Sequence, residues 1–528
     1  MKIQVCINEE GALRNQRYAF TDKFTLISEL MQNARRAGAR RIEISYGEAS
    51  NILRVVDDGC GIQDFQKLLT FNESGWGKDT CQEERPFGIG FSKCLYSASR
   101  CIVASRGRTI DFLTGEALDR KPIEVLDIEP HPYTVVELHD VQLPGLRARL
   151  ETMCSGFPVV VCLNGIELPR MHAIGHLPFV PANIGRVYLT GTGDGKHSSD
   201  TLVFLQGFCV MRPSHCDADP VNVVHLDSKE FVARLPDRDK LIDEDDQRKC
   251  IDACLKSLWR QALIEARATT EAEAFVDAFF NAMRWWGHLD LLNAVPILPK
   301  CLCDRIAGYP IQEGYEDCAY LETVPHSLTQ SDIEEGRVIL VDLDGMSSET
   351  AACWIYARAK GYIVMSSTCL HRDHWVQPYV RTIDEKAVRV EAVGEQCRAT
   401  LEGRWIWPQV ILCATVMVTI DHDRVDIVED GVYHDGSIYI PAGEMSGEPV
   451  RQASDFIDEN DQFLDDHCDA DRDALADLIG RLRSVDPKAT LNSLLRELKL
   501  EKYPLLQGKT FRVMVGHDRG EHAVELIS

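Results

Sequence analysis

The chain has 528 residues, 45% of them hydrophobic and 26% charged, with 57 Lys and Arg against 82 Asp and Glu for a net charge of -25. These proportions lie near the soluble globular average and exclude wholesale disorder and fibrous architecture, and the length predicts about three or four compact units. An acidic whole-molecule field repels polyanions, which disfavours nucleic acid as a partner, although a local basic groove remains open to it.

No run of about 18 uncharged apolar residues occurs, and the opening MKIQVCINEEGALRNQR lacks the apolar stretch of a secretion signal. The expectation is a cytoplasmic protein without a membrane partner. The 19 cysteines are scattered rather than densely spaced, as for buried thiols in a reducing compartment.

In chain order, Leu26, Ile27, Leu30, Met31, Ala34 and Ala37 recur at three- and four-residue spacing and predict an amphipathic helix over 24–38. Its basic end, Arg35, Arg36, Arg40 and Arg41, reads as a solvated face. Strands follow in RRIEISY and NILRVVDD, the second ending in a glycine loop at 57–61. A helix is expected over 63–70, then a polar stretch over 72–85 without hydrophobic period, read as a mobile loop. Gly88 and Gly90 open the helix FSKCLYSAS; strands near 101–105, 110–113, 123–128 and 134–138, a helix at 146–154 and the strand PVVVCLNG close this unit.

The fold class is α/β throughout. Four segments are expected: a nucleotide-binding unit at 1–172, a second α/β unit at 173–268 ending in a long helix, a third at 269–450 built on VILVDLD, SETAACWIYARAKG and YIVM, and a tail at 451–528. That tail holds an acidic run at 455–473, a helix at 473–485 and the strand FRVMVG.

Three segments in the first hundred residues carry distinct chemistry. In ELMQNARRAGA, Glu29 and Asn33 lie four apart on one helix face. A carboxamide oxygen suits Mg²⁺, and a carboxylate one turn earlier suits orienting or deprotonating an attacking water. In VVDDGCGI, glycines let backbone approach a ligand, and a carboxylate can accept from an exocyclic amine of adenine. In RPFGIGFSKC, the glycine pair ahead of a helix offers N–H groups to phosphate oxygens. Each segment alone also fits an ordinary surface helix, a tight turn or close helix packing.

Together, in this order, the three segments resemble the N, G1 and G2 boxes of the GHKL superfamily, which includes gyrase, the ninety-kilodalton heat-shock chaperone, histidine kinases and MutL; FGIGFSKCLYSAS is most similar to the chaperone branch. The resemblance implies a Bergerat-type α/β sandwich that binds ATP and Mg²⁺ under a lid at 72–85. It makes Glu29 the general base, Asn33 the Mg²⁺ ligand and Asp57 the adenine reader. Gly59, Gly61 and Ile62 would lie against the base, Thr134 would support it, and Ser74, Gly75 and Lys78 would lie near the nucleotide. Phe87, Gly88, Ile89, Gly90 and Phe91 would form the phosphate loop.

The segment LPDRDKLIDEDD resembles the chaperone element that sends a basic residue to the γ-phosphate, with Arg238 first and Lys240 second; a surface loop of mixed charge is the alternative. With no phospho-acceptor helix and placed histidine ahead of the boxes in this sequence, a histidine kinase is not the expectation. The expectation is therefore a slow ATPase acting as a chaperone-like switch, dimeric by analogy, with a protein client. The alternatives are a DNA-acting ATPase like MutL, topoisomerase or Microrchidia proteins, within a defence or mobile-element system, and a non-hydrolysing ATP sensor. Asp342 and Asp344 in VDLDG read as strand-end residues, Cys301, Cys303, Cys369, His371 and His374 as lacking zinc spacing, and Trp285, Trp286, Trp405 and Trp407 as core residues.

Overall fold

The computed structural model describes residues 3–4, 8–16, 18, 22–77, 80–81, 84, 88, 90–213, 220–234, 240–310, 320–347, 349–401, 404–405, 409–443, 487–498, 500–516 and 520–528. Two compact units divide the chain, 1–288 and 289–528. The first therefore holds both 1–172 and 173–268, together with the helix Ala272–Trp286, which the sequence had assigned to a third unit. Stacking of Trp286 on Trp259, with ring centroids 6.0 Å apart, ties that helix to the long helix Glu244–Thr269. Trp285 corrects the expectation of burial, being 60% exposed.

Eight strands form the first sheet: β1 Arg41–Gly47, β2 Ile52–Asp57, β3 Arg100–Ser105, β4 Arg108–Leu113, β5 Leu126–Asp127, β6 Thr134–His139, β7 Val160–Leu163 and β8 Ile166–Glu167. Their order is β5-β4-β3-β6-β2-β1-β7-β8, antiparallel except for β1 against β7. Only Leu126–Asp127 of the strand expected over 123–128 pairs.

Alternation along these strands sends Ile42, Ile44, Leu53, Val55, Cys101, Val103, Val136 and Leu138 to one buried face. The helices Thr25–Arg36, Ser92–Ser97 and Leu146–Cys154 contribute to the same core with Leu26, Ile27, Leu30 and Met31, with Cys94 and Leu95, and with Leu146, Leu150 and Cys154. Alternate residues such as Glu43, Arg54, Asp111 and Glu137 are not buried. One covered and one open face make this a two-layer α/β arrangement.

A second sheet follows, of β9 Val180–Ala182, β10 Gly185–Tyr188, β11 Thr201–Leu205, β12 Phe208–Met211 and β13 Asn222–Leu226, ordered β12-β11-β13-β10-β9. The helix Glu244–Thr269 covers it with Ile251, Cys254 and Leu255.

In the second unit, Leu340–Asp342, the helix Ala351–Lys360 and Ile363–Val364 form the expected strand–helix–strand, with the two strands parallel. Small sheets follow, antiparallel among the described strands except for Gln409–Leu412 against Ser437–Ile440, and Phe511–Met514 of the expected last strand pairs with Ala523–Leu526. The acidic run, the helix expected at 473–485, Trp407 and the side chain of Trp405 lie outside the described residues. No described helix is long and apolar enough to cross a membrane.

Candidate nucleotide site

The Thr25–Arg36 helix forms because its apolar stripe buries Leu26, Ile27, Leu30, Met31 and Ala34 on the sheet. Burying that stripe sets the azimuth of the adjoining face, so Glu29, Asn33 and Arg36 line a common cavity of about 600 Å³. The volume falls within the usual range for small-ligand sites. Glu29 is itself 6% exposed.

Strand register supplies the opposite wall. Asp57 at the end of β2 is directly opposite Thr134 at the start of β6, and Thr134 is opposite Ser105 at the end of β3. Directly paired residues share a face, so these polar side chains form a row at one level of the sheet. Ser105 Oγ accepts from the Ile62 amide at 2.9 Å and lies 3.1 Å from Thr134 Oγ1. Thr134 and Ser105 are buried, while Asp57 and Thr134 line the cavity.

The two neighbouring aspartates divide their tasks. Asp58 Oδ1 accepts from the Arg40 and Arg41 amides at 2.7 and 3.0 Å. Those bonds outweigh a burial penalty and hold its pKa below the ordinary value, marking it as an anchor for the turn into β1. Asp57 Oδ1 accepts only locally from the Gly59 amide, at 2.9 Å. Burial pushes the Asp57 pKa up, with the Gly59 bond opposing and the Asp58 charge reinforcing. It is the cavity carboxylate of the pair.

Two glycines are fixed by close approach. Gly88, at φ +67°, accepts from the Asn72 amide at 3.1 Å, and a Cβ there would lie about 2.6 Å from the backbone nitrogen of Glu73. At Gly90 a Cβ would collide with the Glu29 carboxylate. Gly88→Ala is expected to cost roughly 1–3 kcal/mol of stability, because it combines an unfavourable φ with a clash against backbone. Chemical denaturation would measure this, and an unchanged midpoint would show that the 72–75 segment is not held there.

Of the sequence-predicted residues, Glu29, Asn33, Asp57, Gly61, Ile62, Ser74, Gly75, Gly88, Gly90, Phe91 and Thr134 line this one cavity. Gly59 does not. It backs onto the helix end, where a Cβ would lie 2.6 Å from Ala37 Cβ. Lys240 does not either: it is exposed, and its carbonyl accepts from the Arg234 amide at 2.7 Å. Lys78, Phe87, Ile89 and Arg238 lie outside the described residues. The helix after the glycine pair is only six residues long, so any phosphate contact there would come from loop amides rather than from a long helix dipole.

No family model matches this chain, and no curated protein matches it.

Sequence reading missed several lining residues, among them Arg36, Cys60, Asp64, Lys67, Glu73 and Trp76. Arg36 corrects the reading of a solvated basic face. Its side chain is 2% exposed, and its Nε donates to Glu84 at 2.8 Å while Arg35 pairs with the same carboxylate. Burial works against the Glu84 charge, but the two guanidiniums prevail and keep its pKa below the ordinary value. A tryptophan standing among glycines and polar residues at 74–77 was the available signal for the other wall.

In the second unit, Asp342 Oδ2 accepts from the Ser367 amide and hydroxyl at 3.0 and 2.7 Å, a strand-end role. Among the described residues no three His, Cys, Asp or Glu side chains converge as metal ligands.

Proposed function

We propose that the cavity binds an adenine nucleotide with Mg²⁺, and that the chain hydrolyses ATP slowly as a conformational switch of the GHKL kind, with residues 1–172 as a Bergerat-type sandwich. One observation carries this reading: the helix face bearing Glu29 and Asn33 and the register pair Asp57–Thr134, backed by Ser105, belong to the walls of a single cavity.

The residues present fit the ligand. Asp57 has one oxygen engaged by Gly59, and the other would accept from the exocyclic amine of adenine, with Thr134 and Ser105 fixing the floor. Asn33 offers a neutral oxygen to Mg²⁺, a hard cation that would neutralise phosphate charge. Glu29 would take the proton of the attacking water. Gly90 leaves room for this carboxylate, since any side chain there would displace it.

Charge makes a further demand on the ligand. The described lining holds four carboxylates, Glu29, Asp57, Asp64 and Glu73, against the cations Arg36 and Lys67. A bare triphosphate would meet net repulsion there, so binding should depend strongly on the metal. Dimerisation and a protein client belong to the same proposal and rest on the resemblance alone.

Phosphate release by the full chain tests the reading. ATP with Mg²⁺ should give slow turnover that chelation abolishes and that GTP does not support. Tight ATP binding without any turnover would replace the switch by a sensor.

A further inference from the structure

The hairpin joining β11 to β12 turns at Gln206 and Gly207, with φ of +54° and +89°. A two-residue turn with both central residues at positive φ selects Asn or Asp followed by Gly, because the short side chains of Asn and Asp tolerate the left-handed region. Gln lacks that advantage, and strained positions concentrate where a side chain has a task.

The Gln206 side chain meets the candidate site's own helix. Gln32, fully buried on Thr25–Arg36, donates through Nε2 to Gln206 Oε1. Arg35 Nε donates to Gln32 Oε1 at 3.2 Å, and the Arg35 guanidinium pairs with Glu84. A polar chain therefore runs Glu84–Arg35–Gln32–Gln206, from the segment after the cavity, across the helix that carries Glu29 and Asn33, to the second sheet.

The hairpin is also clamped where it turns. A Cβ at Gly207 would lie 3.0 Å from Phe157 Cα, Phe208 packs on Phe157 with ring centroids 5.1 Å apart, and Gly156 leaves room for the Phe204 ring. Motion of the helix relative to this hairpin must stretch or re-form the Gln32–Gln206 bond, because the packing around the turn leaves little slack.

We propose that Gln206 is a positioning residue that couples the second sheet to the nucleotide site, acting through Gln32 on the helix that holds Glu29 and Asn33. The proposal rests on the nucleotide reading above. It goes beyond that reading by naming the contact through which occupancy of the cavity reaches β11 and β12.

Hydrogen exchange on the full chain, with and without a non-hydrolysable ATP analogue and Mg²⁺, separates the two. In the wild type, the analogue should slow exchange in both 25–36 and 201–211. Gln206→Asn keeps an amide but is one methylene shorter; its better fit to positive φ offsets part of the cost of taking the acceptor from the buried Gln32 donor, so the hairpin should still form, which a thermal melt checks. It should keep the protection at 25–36 and lose it at 201–211. Gln206→Glu, with an acceptor at the original reach, should restore the second protection.

Protection at 201–211 that persists in Gln206→Asn overturns the coupling and leaves the nucleotide reading standing. Loss of that protection in Gln206→Glu as well as in Gln206→Asn overturns it too, since the acceptor would then not be the operative group. No protection at 25–36 in the wild type overturns the nucleotide reading itself, and the coupling falls with it.

Discussion

Glu29→Gln is expected to lower ATP turnover by roughly 10²- to 10⁴-fold, the range for loss of a general base, with nucleotide affinity unchanged. The substitution is nearly isosteric at a position 6% exposed and packed beside Gly90, so the cavity should keep its shape. A change confined to turnover would mean that the interaction acts in the transition state rather than in binding. Parallel phosphate-release and binding measurements check it, and persistent turnover would remove Glu29 from the chemistry.

Asp57→Asn should move stability and binding in opposite directions. Burial raises the Asp57 pKa, so the folded protein holds that proton more tightly than the unfolded chain does. Above its folded pKa the charged form therefore costs stability, and that cost disappears as the pH falls through the folded value. Asn is neutral at every pH and keeps an oxygen for the Gly59 amide, so the melting temperature at neutral pH should rise.

Adenine-nucleotide affinity should meanwhile fall by about ten- to a hundredfold, the scale of one hydrogen bond to a charged group. In the wild type, affinity should also weaken as acid protonates Asp57. Thermal melts beside titrations across pH give both readouts. A variant that binds as tightly as the wild type would show that this carboxylate does not read the base.

Much of this was legible because local pattern fixes it. The apolar stripe of the Thr25–Arg36 helix predicts both the helix and the shared azimuth of Glu29 and Asn33, and alternation in RRIEISY and NILRVVDD predicts the hairpin that delivers Asp57. What stayed hidden depends on partners distant in the chain. Arg36 looks solvated until Glu84, 48 residues away, is folded against it.

The alignment of Asp57 with Thr134 and Ser105 is a matter of register between non-sequential strands, which composition does not encode. Arg106 is similar: it sits at positive φ in the β3–β4 turn, and its Nε donates to the Cys60 carbonyl at 2.6 Å, tying the loop beside the cavity from another strand pair. Trp285 reads as core by residue type yet lies beside His197 at the surface, because its helix turns the neighbouring Trp286 inward instead.

The central claim is tested most directly by calorimetric titration of ATP into the full, folded chain with and without Mg²⁺. The account predicts a single saturable site that requires the metal and weakens in Asp57→Asn. Absence of binding heat with Mg²⁺ present at several temperatures, or equal binding by wild type and variant, would contradict it.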